Sequence, residues 1–298
     1  IVSPDSMLKA EYFNFLREIK SGAETHKILA LETYRSELVK EGFEFVSMTE
    51  TPPSSEQDKF INNPQTPKYL PAHLNDQIAF VQFSSGSTSE PKGVLISHTA
   101  LIENITQIKE SLELSNRSII ISWLPFFHDM GLIGSLLTPL LTPFDAHILK
   151  PIDFIKSPRR FLQLTTKLKA TIWLGPDSMY RILTKAIEQG PFESTVDLSS
   201  LQVCICGSEP VLLRTFNQFS EVAIPLSWNS MSFIPAYGQA ENVLLTAFAP
   251  LRTPIKTHKK SKHLAVSCGK PVGKSKVQIL DENQKLLKDS EEGLVWIQ

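Results

Sequence analysis

Residues 83–94, FSSGSTSEPKGV, combine hydroxyl groups, two glycines and one lysine between an apolar run and a helix-like segment. The residues that offer donors or charge are Ser84, Ser85, Gly86, Ser87, Thr88 and Lys92. Backbone N–H groups, hydroxyls and a cation in a glycine-containing loop are suited to binding a polyphosphate. The order Pro-Lys-Gly differs from the Walker loop, which ends in Gly-Lys-Ser/Thr. A solvated serine-rich loop is the alternative interpretation.

Four other apolar runs also end at polar loops. They are SIIISWL before PFFHDMG, ATIWL before GPDS, LQVCIC before GSEP, and SFIPA before YGQAE. Helix-like stretches separate several of them: SPRRFLQLTTKLK, SMYRILTKAIEQG and PVLLRTFNQFSEV. Continuous apolar strands that alternate with helices predict an α/β fold with mostly parallel sheets covered by helices. Because ligands bind beyond the carboxyl ends of such strands, we expect IAFVQF and these four runs to bring their loops to one site.

The N-terminal quarter has a different organisation. Residues 3–22 have the apolar period of an amphipathic helix, and KILAL and FEFVSM are typical of strands. Prolines and polar residues then crowd positions 49–71, which indicates an internal boundary. We therefore predict a remainder of a first α/β unit over 1–75, a ligand-binding α/β region over 76–264, and the start of a small β-rich subdomain over 265–298.

Composition limits the class of protein. The chain has 298 residues, 42% of them hydrophobic and 20% charged, with a formal net charge of -1, so no global charge favours a nucleic acid partner. Its three cysteines favour a reducing, cytoplasmic location, and the alternation of Cys204 and Cys206 with apolar residues predicts a buried strand rather than a metal site. No apolar stretch is long enough for a membrane span. The apparent strand ends at both termini lead us to expect a longer protein.

The series SSGSTSEPKG, SWLPFFHDMGLIG, CGSEP and YGQAE resembles the motifs of the adenylate-forming superfamily, most closely those of the fatty acyl-AMP ligases. The resemblance extends from about Ile78 to Gln298. It implies the N-terminal domain of an enzyme that uses ATP and Mg²⁺ to convert a medium- or long-chain fatty acid to an acyl-adenylate. The acyl group would then pass to the thiol of an acyl carrier protein, such as that of a polyketide or nonribosomal peptide synthase. The C-terminal lid domain of the family would lie outside this chain.

The resemblance also implies a role for individual residues. The loop from Ser84 to Gly93 would hold the β- and γ-phosphates, with Lys92 as its cation, and Glu241 would hold Mg²⁺. Tyr237 would stack on adenine. The remaining nucleotide-binding candidates are Gly207, Ser208, Glu209, Gly238, Gln239 and Ala240. His128 would border the acyl and phosphate sites, where we prefer positioning to proton transfer, and Asp129 would brace its loop.

Structural roles are the alternatives for the same residues. Glu241 could be a carboxylate at a helix N-terminus, and Tyr237 an ordinary core residue. The GSEP motif could be a strand-to-helix turn in which Glu209 and Pro210 open the next helix. That role is compatible with a position beside the adenine.

Some residues depart from the family pattern. Ser84 and Ser89 replace Thr and Gly of the phosphate loop, and Cys206 and Ser208 replace Asn and Ala beside the adenine. The interval from Glu241 to Cys268 is too short for the full insertion that hinders use of coenzyme A in fatty acyl-AMP ligases. A fatty acyl-CoA synthetase is therefore one alternative, and a non-catalytic nucleotide-binding or carrier-docking module is another. The lysine-rich stretch IKTHKKSKH is interpreted as a solvated loop, or as a docking element for an acidic carrier protein or coenzyme A phosphates.

Overall fold

The computed structural model describes residues 27–31, 39–40, 44–48, 77–84, 92–260, 263–288 and 291–298. The predicted helix over 3–22, the proline-rich stretch and the loop residues Ser85, Gly86, Ser87 and Thr88 lie outside these ranges. Strands β1 (Lys27–Leu31) and β2 (Glu44–Met48) pair in parallel, as expected of KILAL and FEFVSM.

An antiparallel hairpin directly precedes a long helix. Its strands are β3 (Ile78–Ser84) and β4 (Lys92–Ser97). Helix α1 (His98–Ser111) begins directly after β4, where the Ser97 hydroxyl accepts a hydrogen bond from the Ala100 N–H at 3.1 Å. Such a cap satisfies a backbone donor that has no partner within the helix.

The remaining strands and helices follow α1. The strands are β5 (Ile119–Ser122), β6 (Asp145–Ile148), β7 (Ile172–Gly175), β8 (Val203–Cys206), β9 (Phe233–Gly238), β10 (Leu245–Phe248), β11 (Thr257–Lys260), β12 (His263–Val266), β13 (Lys270–Pro271), β14 (Val277–Leu280) and β15 (Leu294–Ile297). The α-helices are α2 (Thr138–Leu141), α3 (Pro151–Lys156), α4 (Pro158–Leu168), α5 (Asp177–Glu188) and α6 (Leu213–Ala223). Met130–Leu137 is a π-helix, and short 3₁₀ turns cover Ile224–Leu226, Ser230–Ser232 and Ala240–Asn242.

A seven-stranded sheet organises the molecule in the order β13-β10-β9-β8-β7-β5-β6. The strands from β9 to β6 in this order are parallel, and β10 and β13 extend the sheet as antiparallel strands. The predicted mostly parallel α/β fold is confirmed. The helices predicted from SPRRFLQLTTKLK, SMYRILTKAIEQG and PVLLRTFNQFSEV correspond to α4, α5 and α6.

Alternate residues of the parallel strands face two cores. On one face, Ile121, Trp173 and Cys204 pack with an aromatic cluster that includes Phe161 and Phe219. On the other face, residues of the same strands pack with α1 and the start of the π-helix; they include Ile120, Ile172, Leu174 and Ile205. Burial raises the pKa of the Cys204 thiol to about 11, so it stays protonated at neutral pH as an inert core group.

One of the five apolar runs, IAFVQF, does not join the parallel strands of the central sheet. IAFVQF is β3, which pairs with β4 in the separate hairpin, so the serine-rich loop joins two strands and does not lead directly into a helix. The physical reason is the second apolar run, Val94–Ile96, which pairs with β3 before the helix begins. The hairpin nevertheless contacts the PFFHDMG loop that follows β5, because the Gln82 side chain donates a hydrogen bond to the Phe127 carbonyl at 3.3 Å.

The predicted division into three units stays a prediction. Its first boundary, at 75/76, lies outside the described residues. Its second boundary, at 264/265, falls within β12, and β13 from the predicted third unit pairs with β10 of the central sheet. The stretch IKTHKKSKH also differs from a plain loop, because it contains β11, which pairs antiparallel with β12, the strand that begins at the last residue of the stretch. None of the helices in the described ranges is both long enough and apolar enough to cross a bilayer.

Candidate active site

A largely apolar pocket lies between α1, the π-helix and one face of the central sheet. Its volume, including the open mouth, is about 680 Å³. The apolar lining comprises Ile108, Leu112, Leu114, Ile120, Met130, Phe144, Ile172, Leu174, Ile205, Ala236, Leu244 and Leu245. The polar end is formed by Asp129, Gly207, Ser208, Tyr237 and Gly238, which come from three of the predicted loops. The pocket thus joins an apolar chamber to residues predicted to bind a nucleotide.

The apolar lining was not predicted from the sequence. Residues such as Ile172 and Leu174 alternate along a buried strand in the same way as ordinary core residues. The loops carry distinctive polar motifs, whereas a cavity wall and a packed core require the same side chains. No local signal in the sequence separates the two.

The phosphate-loop candidates are only partly within the described residues. Ser84 ends β3 and Lys92 begins β4, and the two are paired opposite each other in the hairpin register. Positions 84 and 92 therefore lie at the end of the hairpin where the connecting loop joins its two strands. The proposed phosphate contacts of Ser85, Gly86, Ser87 and Thr88 stay a prediction.

His128 and Asp129 form a hydrogen-bonded pair at the start of the π-helix. His128 Nδ1 lies 2.7 Å from Asp129 Oδ1, and the Met130 N–H donates to the same carboxylate oxygen at 2.6 Å. Met130 N is also 3.3 Å from His128 Nδ1. The shorter contact to a carboxylate is the stronger one, so His128 Nδ1 donates its proton to Asp129. Asp129 therefore braces the loop as expected.

The electrostatics of this pair favour protonated His128. The hydrogen bond to Asp129 raises the pKa of His128, and partial burial opposes the rise. The His128 side chain is 47% exposed, and Asp129, not His128, lines the pocket. This arrangement is consistent with positioning by His128.

The turn between β9 and β10 holds most of the YGQAE motif close to the backbone of the following strand. The Tyr237 hydroxyl donates to Gln239 Oε1 at 3.0 Å, and the Gln239 N–H donates to the Leu244 carbonyl at 3.1 Å. A side chain at Gly238 would collide with that same carbonyl, so only glycine permits the approach. Burial, with smaller contributions from Glu241 and Cys268, raises the pKa of Tyr237.

Glu241 projects from the 3₁₀ turn that begins at the buried Ala240. Its side chain is exposed and makes no hydrogen bond or ion pair with the described part of the chain. The turn closes at Val243, whose φ of 66° and ψ of -67° form a strained γ-turn with a 2.8 Å bond from the Leu244 N–H to the Asn242 carbonyl. Among the described residues, no group of three or more His, Cys, Asp or Glu side chains is arranged to hold a metal.

The GSEP loop is hydrogen-bonded to the end of β7 and to the first turn of α5. The Gly207 N–H donates to the Gly175 carbonyl at 3.2 Å, and the Glu209 carboxylate accepts hydrogen bonds from the Ser178 N–H and hydroxyl, both at 2.9 Å. Gly207 and Ser208 line the pocket, whereas Glu209 does not. The alternative that Glu209 and Pro210 open the next helix is wrong, because that helix, α6, begins at Leu213. The Glu209 carboxylate instead accepts hydrogen bonds at the start of α5.

Known proteins resemble most of this chain in sequence. A family model described as AMP-binding enzyme matches residues 17–298. The medium-chain fatty acid acyl-carrier-protein ligase TtuA of Teredinibacter turnerae is 35% identical over 246 residues, which cover 76% of this chain and 38% of TtuA. The corresponding ligase JamA of Moorena producens is 30% identical over 75% of this chain and 41% of JamA. The chain thus spans less than half the length of these two relatives.

A solved structure shares the fold. The fatty acyl-adenylate ligase of L. pneumophila, in complex with acyl adenylate and pyrophosphate, superposes with a TM-score of 0.80 at 27% identity. The match covers 96% of this chain and 52% of that protein.

Proposed function

Because the chain belongs to the AMP-binding enzyme family, we propose that it activates a medium- or long-chain fatty acid with ATP, forming an acyl-adenylate and pyrophosphate. The observation that supports this proposal is the pocket itself. Its apolar chamber suits a hydrocarbon chain, and its polar end includes four predicted nucleotide-binding residues, Gly207, Ser208, Tyr237 and Gly238. A fatty acid bound there would have its carboxylate at the nucleotide end.

The proposed reaction requires positioning and charge neutralisation. A carboxylate oxygen attacks the α-phosphorus of ATP, the bond from that phosphorus to the bridging oxygen breaks, and pyrophosphate leaves. Lys92 and the serine-rich loop would neutralise and orient the β- and γ-phosphates. Tyr237 would lie against the adenine, and the apolar wall would exclude water from the acyl chain.

Glu241 is the candidate Mg²⁺ ligand. Its exposed carboxylate supplies the oxygen donors that this ion prefers, so the residue present fits the proposed metal. A single protein carboxylate is sufficient when substrate phosphates provide further ligands. When bound, Mg²⁺ would neutralise negative charge on the phosphates.

Exchange between ATP and labelled pyrophosphate tests the activation step in the intact protein. We expect exchange that depends on added fatty acid and on Mg²⁺. A protein that binds ATP but shows no exchange with fatty acids of any length would instead fit the non-catalytic nucleotide-binding module.

For the second step, we propose transfer to the phosphopantetheine thiol of an acyl carrier protein, as in a polyketide or nonribosomal peptide synthase. The thiol gives up its proton to solvent, its sulfur attacks the acyl carbonyl to form a thioester, and AMP leaves with the electrons of the acyl-phosphate bond. The HDMGLIG motif and the two acyl-carrier-protein ligases named above support this acceptor.

The three free thiols of Cys204, Cys206 and Cys268 are consistent with the expected cytoplasmic location.

The interval between Glu241 and Cys268, which is short in the sequence, favours coenzyme A as the alternative acceptor. Incubating the intact protein with ATP, labelled fatty acid and either acceptor separates the two. Accumulation of acyl-adenylate in the presence of coenzyme A, with transfer to a carrier protein, agrees with the proposal. Rapid formation of acyl-coenzyme A contradicts it.

A further inference from the structure

One residue of the GSEP loop, Ser208, has a strained backbone conformation that neighbouring contacts must stabilise. Ser208 has a φ of 63°, in the left-handed region that residues with a side chain rarely adopt. This residue and Gly207 form part of the polar end of the pocket. A loop segment with an unfavourable conformation keeps its shape only where surrounding contacts hold it.

The supporting contacts flank Ser208 on both sides. Before it, the Gly207 N–H is hydrogen-bonded to Gly175, and after it, Glu209 is hydrogen-bonded twice to Ser178. Gly175 ends β7 and Ser178 lies in the first turn of α5, so both partners belong to the junction of these two elements. Ser208 thus lies between two residues that are each hydrogen-bonded to this junction.

The Ser178 side of this contact is itself anchored. The preceding residue, Asp177, is only 1% exposed, and its carboxylate accepts hydrogen bonds from the Leu212 N–H at 3.0 Å and the Thr215 hydroxyl at 2.9 Å. The start of α5 is therefore tied to the start of α6. Ser178 gives Glu209 a rigid partner, and Arg181 adds a positive charge 3.7 Å from the Glu209 carboxylate.

We propose that Glu209 is a positioning residue for the nucleotide, acting through Ser178 to hold Ser208 in its strained conformation. The inference rests on the proposed function, because it assigns the Gly207–Ser208 backbone to the nucleotide end of the pocket. It differs from the prediction that Glu209 itself borders the adenine. The Glu209 carboxylate is hydrogen-bonded to Ser178 and does not line the pocket, so it supports the Gly207 and Ser208 backbone without facing the ligand.

Direct measurement of ATP binding by calorimetry in the intact protein tests this role. We expect Glu209→Ala to weaken binding about tenfold, because a charge-assisted hydrogen bond that holds the loop is lost. Ser178→Ala should weaken binding in the same direction. The double substitution should have little further effect, because both residues act through one contact. Glu188→Ala is the matched control, because it removes an exposed carboxylate from α5, the helix that contains Ser178. This variant should bind ATP normally.

A rescue variant separates positioning from direct contact. Glycine adopts positive φ without strain, so Ser208→Gly added to Glu209→Ala should restore most of the lost affinity. If Glu209 instead touched the nucleotide, Ser178→Ala would leave ATP affinity unchanged and Ser208→Gly would restore nothing. Either result would overturn the inference.

The test also distinguishes this inference from the proposed function. Failure of the unaltered protein to bind ATP would contradict both. Normal ATP binding that is the same in Glu209→Ala would contradict only the positioning role. Should Glu209→Ala fail to fold, Glu209→Gln and Ser178→Ala still test the contact, because each removes only part of it.

Discussion

At the level of single residues, Glu241 provides a specific test of the metal assignment. Glu241→Gln keeps the size of the side chain and removes its charge. We expect adenylation to fall about tenfold and the Mg²⁺ concentration for half-maximal rate to rise, since an oxygen ligand of the ion is weakened. Pyrophosphate exchange over a range of Mg²⁺ concentrations measures both. Glu221→Gln, at an exposed residue of α6, is the control, and an equal Mg²⁺ dependence in the two variants would contradict the assignment.

His128 makes the stability of the protein depend on pH. Its pKa in the folded state is raised above the ordinary value of 6.5, mainly by the hydrogen bond to Asp129. The stabilisation from this pair is therefore fully present below pH 6.5 and is lost as the pH rises through the higher folded-state value. Urea unfolding gives the free energy of unfolding at each pH. We expect the difference in this free energy between the unaltered protein and His128→Gln to shrink as the pH rises from 6.5 through the folded-state pKa of His128.

Nuclear magnetic resonance titration of the His128 ring checks the cause of this behaviour. Asp129→Asn should lower the pKa of His128, because the carboxylate is removed while the partial burial remains. A His128 pKa at or below 6.5 in the unaltered protein would be incompatible with the pair described here.

At the level of secondary-structure elements, the π-helix provides part of the pocket wall through Gly134. A Cβ atom at this position would lie 2.9 Å from Leu174 Cδ1 and 3.4 Å from Leu244 Cδ2, and both leucines line the pocket. We expect Gly134→Val to narrow the chamber and to lower kcat/KM for long fatty acids roughly tenfold more than for short ones. Ala146→Val, on the exposed edge strand β6, is a control for added volume, and an unchanged chain-length profile in Gly134→Val would refute this role.

The junction of α5 and α6 depends on buried Asp177. Besides accepting from Leu212 and Thr215, its carboxylate lies 3.2 Å from Arg181 Nε. Asp177→Ala would leave the donors without their acceptor, and we expect a loss of about 2–3 kcal/mol in the free energy of unfolding, allowing for the half-exposed Arg181. Denaturant unfolding measures the loss. Asp177→Asn, which keeps one acceptor oxygen, should cost less; an equal cost would argue against the hydrogen bonds as its source.

At the scale of the whole molecule, sequence reasoning succeeded where a pattern has one physical cause. The motif series predicted the family, which the match over residues 17–298 confirms. Apolar runs such as VCIC predicted the parallel strands because burial on both faces requires continuous apolar residues. The helices α4, α5 and α6 correspond to the helix-like stretches predicted between these strands.

The failures have equally specific causes. The exposed edge strand β6, DAHI, has mixed polarity and therefore no strand pattern. The hairpin partner β4 was missed because KGVLIS immediately precedes helix α1. The contact between Glu209 and Ser178 joins residues 31 positions apart, and only the packing of neighbouring loops creates it. The assignments of individual nucleotide-binding residues stay predictions.

One continuous segment, from Lys92 through α1 to Leu114, contributes to both ends of the proposed site. It begins at the predicted phosphate cation and ends at Ile108, Leu112 and Leu114 on the pocket wall. A displacement of α1 caused by one substrate would thus move residues at the binding site of the other substrate. If binding of the two is cooperative, linkage requires fatty acid to change the affinity for ATP by the same factor by which ATP changes the affinity for fatty acid.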